Sequence, residues 1–139
     1  MAGLTLHASA VAIDGRGILI LGASGTGKSA LALQLMALGA QLIADDQTVL
    51  MRAGGVVNAS CPAPLRGMIE ARGLGLLAAD TLDTAPLRLV VDLDRVETER
   101  LPARRQTDLL GVAIDLVFGA QYRHFPYGII QYARAGRRN

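Results

Sequence analysis

The run Ile18-Leu19-Ile20-Leu21-Gly22-Ala23-Ser24-Gly25-Thr26-Gly27-Lys28-Ser29 decides the fold. Its first four residues are a short, uninterrupted apolar stretch, the pattern of a strand buried on both faces. The next eight fit G-x-x-x-x-G-K-[ST] at every position. Glycines there let the backbone turn tightly and aim its N–H groups inward at an anion. Lys28 to Leu38 then reads as a helix, because Ala30, Leu31, Leu33, Leu35 and Met36 are good helix formers and Gly39 is placed to cap its end. Such a helix turns its free N–H groups and positive dipole end toward the same anion. Strand, glycine loop and helix are the context a P-loop requires, so Gly22 to Ser29 is expected to hold the phosphates of a nucleotide such as ATP. Lys28 would bring a point charge to the β- and γ-phosphates, and Ser29 a hydroxyl to Mg²⁺. Lys28 is the only lysine, against thirteen arginines.

Beyond the helix, Leu42-Ile43-Ala44 reads as a second buried strand, ending in Asp45-Asp46 and completing a βαβ unit. Ligands of parallel α/β sheets sit beyond the carboxyl ends of the strands, so at least one of these acids should face the phosphates or the metal. Neighbours on a strand point to opposite faces, which predicts two roles. One acid would hold Mg²⁺ through water and the other would accept the proton of an attacking hydroxyl. Spacing does not decide which is which.

Upstream, Leu4, Leu6, Ala8 and Ala10 alternate as in a half-buried strand carrying His7, and Asp14-Gly15 with Gly17 reads as a turn. Downstream, Val49 to Val57 reads as a hairpin turned at Ala53-Gly54-Gly55, and Pro62 and Pro64 break the chain. Met68 to Leu77 holds the run Glu70-Ala71-Arg72-Gly73-Leu74-Gly75. Glu70 and Arg72, two apart on an extended segment, share a face and either handle metal and phosphate together or form a surface ion pair. Leu87 to Val91 and Leu109 to Phe118 read as two further strands. His124, among Tyr122, Arg123, Phe125 and Tyr127, reads as a packed or partner-contacting turn, and Arg134, Arg137 and Arg138 as a solvated end. The expectation is one α/β domain over residues 1–139, with a mixed β-sheet around the P-loop.

Composition narrows the class. Hydrophobic residues are 51% and charged residues 19%, which argues against disorder, and aromatics at 4% imply an aliphatic core. The single cysteine, Cys61, allows neither an intrachain disulfide nor a multi-cysteine zinc site. A net charge of +2 does not point to nucleic acid. Met1 to Ala10 lacks the layout of a secretory signal, and no apolar run approaches a membrane span. The expectation is a cytoplasmic protein with no membrane insertion.

Taken together, these residues resemble the catalytic domain of HPr kinase/phosphorylase, enzymes that phosphorylate a serine on HPr, the small phosphocarrier protein of the sugar phosphotransferase system. Four pieces match in order: His7, the P-loop Gly22 to Ser29, the Leu42-Ile43-Ala44-Asp45-Asp46 run, and Glu70-Ala71-Arg72-Gly73-Leu74-Gly75, which looks like the family's Glu-x-Arg-Gly-x-Gly signature. The match is clear from His7 to Gly75, weaker from Leu87 to Pro102, and fades beyond. The resemblance implies a fold similar to the nucleotide-binding core of phosphoenolpyruvate carboxykinase, with ATP and Mg²⁺ as cofactors. It implies that Gly22, Ala23, Ser24, Gly25, Thr26, Gly27, Lys28 and Ser29 bind ATP, and that Ser29 and Glu70 serve Mg²⁺. It also implies that Asp46 exchanges the proton of the substrate serine, that His7 and Lys28 act near the transferred phosphate, and that Arg100 is a catalytic arginine. Arg72, Gly73 and Gly75 belong to the signature stretch.

Family members carry a separate N-terminal domain, and their C-terminal segment for phosphorolysis has no match in Leu109 to Asn139. The layout is similar to short alphaproteobacterial forms. The forward kinase reaction is therefore implied more strongly than the reverse, and the family's oligomer is left open. Two functional readings stand: a serine kinase acting on HPr to regulate carbon metabolism, or an ATP-binding regulatory module that acts through a sensor-kinase partner.

Overall fold

A computed structural model of the protein describes residues 3–139; Met1 and Ala2, the first residues of the expected single domain and of the segment read for a signal, lie outside them. The chain runs through β1 (Gly3–Leu6), β2 (Ala8–Ile13), β3 (Arg16–Leu21), α1 (Lys28–Ala37), β4 (Gln41–Ala44), β5 (Thr48–Ala53) and β6 (Val56–Ser60). A 3₁₀ turn at Ala63–Leu65 leads to β7 (Met68–Ala71), β8 (Gly75–Ala78), β9 (Thr84–Val96), β10 (Arg105–Leu109), β11 (Val112–Gly119) and α2 (Phe125–Ala135).

Nine strands form one curled, mixed sheet in the order β1-β5-β6-β9-β3-β2-β4, with β11 and then β10 joined to the far part of β9. The long β9 makes the curl. Its start, Thr84 to Pro86, pairs antiparallel with β6, and the stretch from Leu89 pairs parallel with β11, while β3 lies parallel along its other edge. Strand β2 is antiparallel to both β3 and β4. The β3–α1–β4 crossover thus joins two strands of the same direction with β2 between them.

All six residues of β2 are buried, so the expected half-buried alternation ends at His7, where β1 and β2 part. Strand β1 pairs only with β5, and its first three residues are exposed. In β2 the side chains divide by size. Val11 and Ile13 pack with Ile18, Ile20, Leu31, Leu35, Leu89, Val91 and Ile130 beneath the helices. Ala8, Ala10 and Ala12 face Leu19, Leu50, Val57, Val90 and Ile114. Three alanines at alternate positions on one face leave room for the β5–β6 layer to close over this side.

The turns follow backbone chemistry. Asp14 (φ 51°) and Gly15 (φ 75°) make the two-residue β2–β3 turn in the left-handed geometry that suits a hairpin's twist. Helix α1 ends in a Schellman motif: Ala40 N–H donates to Leu35 O, and Gly39 N–H to Met36 O, with Gly39 at φ 109°.

Three sequence expectations need correction. Leu109 to Phe118 is not one strand but the end of a hairpin, turned at Leu110 (φ 53°) and Gly111. Leucine has no preference for such a turn. Here Arg52 donates to Leu110 O (3.0 Å) and Asp108 accepts from Gly111 N–H (2.9 Å). Second, the expected turn at His124 is present but leads directly into an unexpected helix, α2, whose Ile129, Ile130 and Ala133 are buried against the core. Third, the arginine tail is exposed at Arg134 and Arg138 as expected, but Arg134 and Arg137 are tied down. Arg134 pairs with Asp14 at 3.0 Å, Arg137 donates to Pro102 O, and Arg104 donates to Asn139 O and Arg137 O.

Two expectations on stability follow. Leu35→Ala, at a fully buried site between α1 and the sheet, should lower the unfolding free energy by about 3 kcal/mol, measured by urea denaturation. The Arg105 guanidinium on Glu97 holds that carboxyl below its usual range against the opposing effect of burial, with the amides of Glu99 and Thr98 adding to the shift. A lowered folded value means that this contribution is complete above the usual carboxylate range and is lost as pH falls through the folded value. Glu97→Gln should therefore lower stability at neutral pH, leave it little changed below the folded value, and so flatten the acid limb of the stability-versus-pH curve.

Candidate active site

The carboxyl end of β3, the N-terminus of α1, the end of β4 and the β7–β8 hairpin enclose a cavity of about 680 Å³. His7, Ser24, Gly25, Gly27, Lys28, Ser29, Asp45, Asp46, Glu70 and Arg72 all line it. Most of the sequence-predicted residues are therefore brought together; Gly22, Ala23 and Thr26 belong to the same loop without lining the cavity, and Arg100 lies apart. Arg100 stands exposed on the segment between β9 and β10 and does not line the cavity. Of the signature glycines, Gly73 and Gly75 shape the hairpin turn at φ 85° and 127°.

The P-loop is held mainly through one carbonyl. Ala23 O accepts from Thr26 Oγ1 (2.7 Å), from Thr26 N–H (3.2 Å) and from Lys28 Nζ (3.1 Å), and Lys28 also donates to Gly22 O (2.6 Å). Lys28 is buried, and among the described residues it has no carboxylate partner. The N-terminus of α1 has no side-chain cap and no acid in its first turn. A buried ammonium beside uncapped helix amides is chemistry suited to an anion, and the triphosphate of ATP fits it.

Asp45 is buried and accepts three hydrogen bonds: from Ser9 Oγ (2.8 Å), Ser29 Oγ (2.7 Å) and Glu70 N–H (3.1 Å). Asp46 turns the other way. It adopts φ 71°, is exposed, and its Oδ1 lies 3.1 Å from His7 Nδ1. His7 Nε2 in turn lies 3.3 Å from Ser24 Oγ. The two neighbouring acids do take different surroundings, and the left-handed backbone at Asp46 accompanies that separation.

Among the described residues no group of three or more His, Cys, Asp or Glu side chains is placed to hold a metal alone. Mg²⁺ usually keeps waters and takes one or two protein oxygens together with substrate phosphates. Ser29, Asp45 and Glu70 fit an ion that arrives with the nucleotide. Glu70 and Arg72 form no ion pair with each other, so the surface-pair alternative is not observed. The Arg72 guanidinium reaches over Gly25, about 4.0 Å from where a β-carbon on that glycine would stand.

Sequence reasoning missed two residues. Ser9 is the one hydroxyl in the fully buried β2, and that polar interruption was its only signal. Asp94 accepts from Ala23 N–H at 2.9 Å, just past the point where β3 and β9 stop pairing. An acid near the carboxyl end of a strand parallel to β3 was the available cue.

A family model described as the HPr Serine kinase C-terminal domain matches residues 2–117. The HPr kinase/phosphorylase of Cupriavidus metallidurans is 42% identical over 126 residues, covering 82% of this chain and 39% of that protein. The HPr kinase/phosphorylase of Burkholderia lata is 42% identical over 125 residues, covering 81% and 39%. The chain thus spans about two fifths of the length of the curated relatives it matches. The solved structure of the Hpr(Ser) kinase/phosphatase from Coxiella burnetii superposes with a TM-score of 0.79 at 26% identity, covering 94% of both chains. That superposition agrees with the curled mixed α/β sheet. No helix among the described residues is long and apolar enough to cross a membrane.

Removing the Asp45 carboxylate leaves two hydroxyls and an amide without their acceptor. Asp45→Ala should cost about 2 kcal/mol of stability in the absence of any ligand, read as a lowered urea midpoint at an unchanged denaturant slope.

Proposed function

This chain belongs to the family of the HPr serine kinase C-terminal domain, and from that premise we propose that it transfers the γ-phosphate of ATP to a serine of HPr. The observation that carries the reading is the buried, acid-free Lys28 facing Asp45, Asp46 and His7 across one cavity. Phosphate sites and proton-handling groups are a few side chains apart, as phosphoryl transfer needs.

In this reading the amides of Gly22 to Ser29 cradle the phosphates and Lys28 exchanges its carbonyl partners for phosphate oxygens. Ser29 and Glu70, with Asp45 behind Ser29, hold Mg²⁺, which when bound neutralises charge on the β- and γ-phosphates. The transition state is loose, so positioning and electrostatics dominate. The Asp46–His7 pair orients the acceptor hydroxyl and takes its proton late, with Asp46 as the carboxylate that bears the charge. Arg72 and Arg100 are the two proposed arginines for the leaving phosphoryl group. Arg72 already lies over the loop, whereas Arg100 needs the segment between β9 and β10 to move. Regulation of carbon metabolism in the cytoplasm follows from this substrate.

The test incubates the protein with labelled ATP, Mg²⁺ and HPr from the same organism, with and without inorganic phosphate. Label on an HPr serine is expected. Asp46→Asn should lower transfer at least 100-fold while ATP affinity, measured by calorimetry, stays within a few-fold. Transfer that survives this change removes Asp46 from the proton path. ATP binding with no phosphorylated product favours the regulatory module over the kinase, and label lost to added phosphate reveals the reverse reaction.

A further inference from the structure

Ser24 is the one P-loop hydroxyl that faces a base. Ser29 gives its proton to Asp45 and Thr26 gives its own to Ala23 O. Ser24 Oγ instead meets His7 Nε2 at 3.3 Å, and His7 Nδ1 is held by Asp46 Oδ1 at 3.1 Å. In the neutral ring, a proton on Nδ1 faces that carboxylate and leaves Nε2 as acceptor. Serine, imidazole and carboxylate in this order are the arrangement that turns a hydroxyl into a nucleophile. The residue after Ser24 lies beneath the Arg72 guanidinium, which has no carboxylate partner among the described residues. A phosphate gathered at residue 24 would therefore meet positive charge from Arg72 as well as from Lys28.

We propose that Ser24 is itself a phosphate acceptor, so that the chain phosphorylates its own P-loop when no protein substrate fills the site. The proposal rests on the kinase reading of this cavity. Ser24 Oγ attacks the γ-phosphorus of bound ATP while its proton passes to His7 Nε2. The new Oγ–P bond forms as the bond from the γ-phosphorus to the β,γ-bridging oxygen breaks. ADP leaves with that electron pair, and Asp46 balances the imidazolium. The product serine phosphate occupies the place of the γ-phosphate, so the reaction stops after one turnover and blocks further ATP binding. A protein hydroxyl bound at the same place displaces Ser24 from His7 and suppresses the self-reaction.

The experiment incubates the intact chain with γ-labelled ATP and Mg²⁺, without acceptor, and locates phosphate by peptide mass spectrometry. A parallel sample contains HPr. The expected result is a single phosphate on Ser24, approaching one per chain, at a rate unchanged by dilution and reduced by HPr. Ser24→Thr should move the label to phosphothreonine at the same position, and Ser24→Ala should abolish it. His7→Gln should slow it at least 100-fold, the scale of a lost general base. Label on another residue, or none on residue 24 in a preparation that phosphorylates HPr, overturns the proposal alone. Absence of both reactions with ATP bound removes the kinase reading, and this proposal with it.

Discussion

The site depends on the buried carboxylate of Asp45. Its two oxygens collect donors from three separate elements: Ser9 on β2, Ser29 on α1 and Glu70 on β7. Strand β2 lies between β3 and β4 in the sheet, α1 follows the phosphate loop, and β7 belongs to a hairpin outside the main sheet. A buried acid must be satisfied by hydrogen bonds or it is costly, so Asp45 draws these elements to fixed distances. The β7–β8 hairpin pairs with no other strand. The amide of Glu70 on Asp45 and the packing of Ile69 in the helix-side core are what seat it over the phosphate loop. Through one side chain, the position of Glu70 and Arg72 is coupled to that of Ser29.

The resting P-loop shows a second constraint. Lys28 is buried yet meets carbonyl oxygens, not an acid. Carbonyl dipoles satisfy an ammonium without neutralising it, so the loop keeps its positive charge for an incoming anion. An acid in that place would compete with phosphate. The nearest carboxylates are used elsewhere: Asp45 by hydroxyls and an amide, Asp94 by the amide of Ala23, and Asp46 by His7. These three acids are each occupied by donors other than Lys28.

Much of this was legible in the sequence because local rules and tertiary packing agreed. The P-loop, α1 with Gly39 at its end, the Asp14-Gly15 and Gly54-Gly55 turns and β3 all have strong residue-level signals, and the structure has them. What was missed lacks such a signal or runs against one. Leu110 takes a left-handed turn because Arg52, from β5, and Asp108, on the hairpin itself, hold the loop. Helix α2 begins among aromatics and a proline, and its glycine, Gly128, weakens the helical pattern. Packing of Ile129, Ile130 and Ala133 against the core overrides that weakness. The arginine tail looked solvated because its partners are far away in sequence: Arg137 donates to Pro102 O, Arg134 to Asp14, and Arg104 donates to the tail carbonyl of Arg137.

The different surroundings of Asp45 and Asp46 were expected from strand alternation, but the structure points to a different cause. Strand β4 ends at Ala44, so both acids lie beyond the pleat that would have sent them to opposite faces. The positive φ of Asp46 marks the change of direction there. Aspartate tolerates this conformation better than most residues, though glycine would adopt it more easily. A glycine would lose the carboxylate that holds His7. Asp46 therefore meets two demands at once, a backbone that must turn and a side chain that must reach His7, and few residues other than aspartate or asparagine could meet both. Asparagine would keep the turn and a hydrogen bond to the ring without the charge. The backbone geometry at this position thus restricts the available side chains to nearly the same pair that separates a proton acceptor from its neutral analogue.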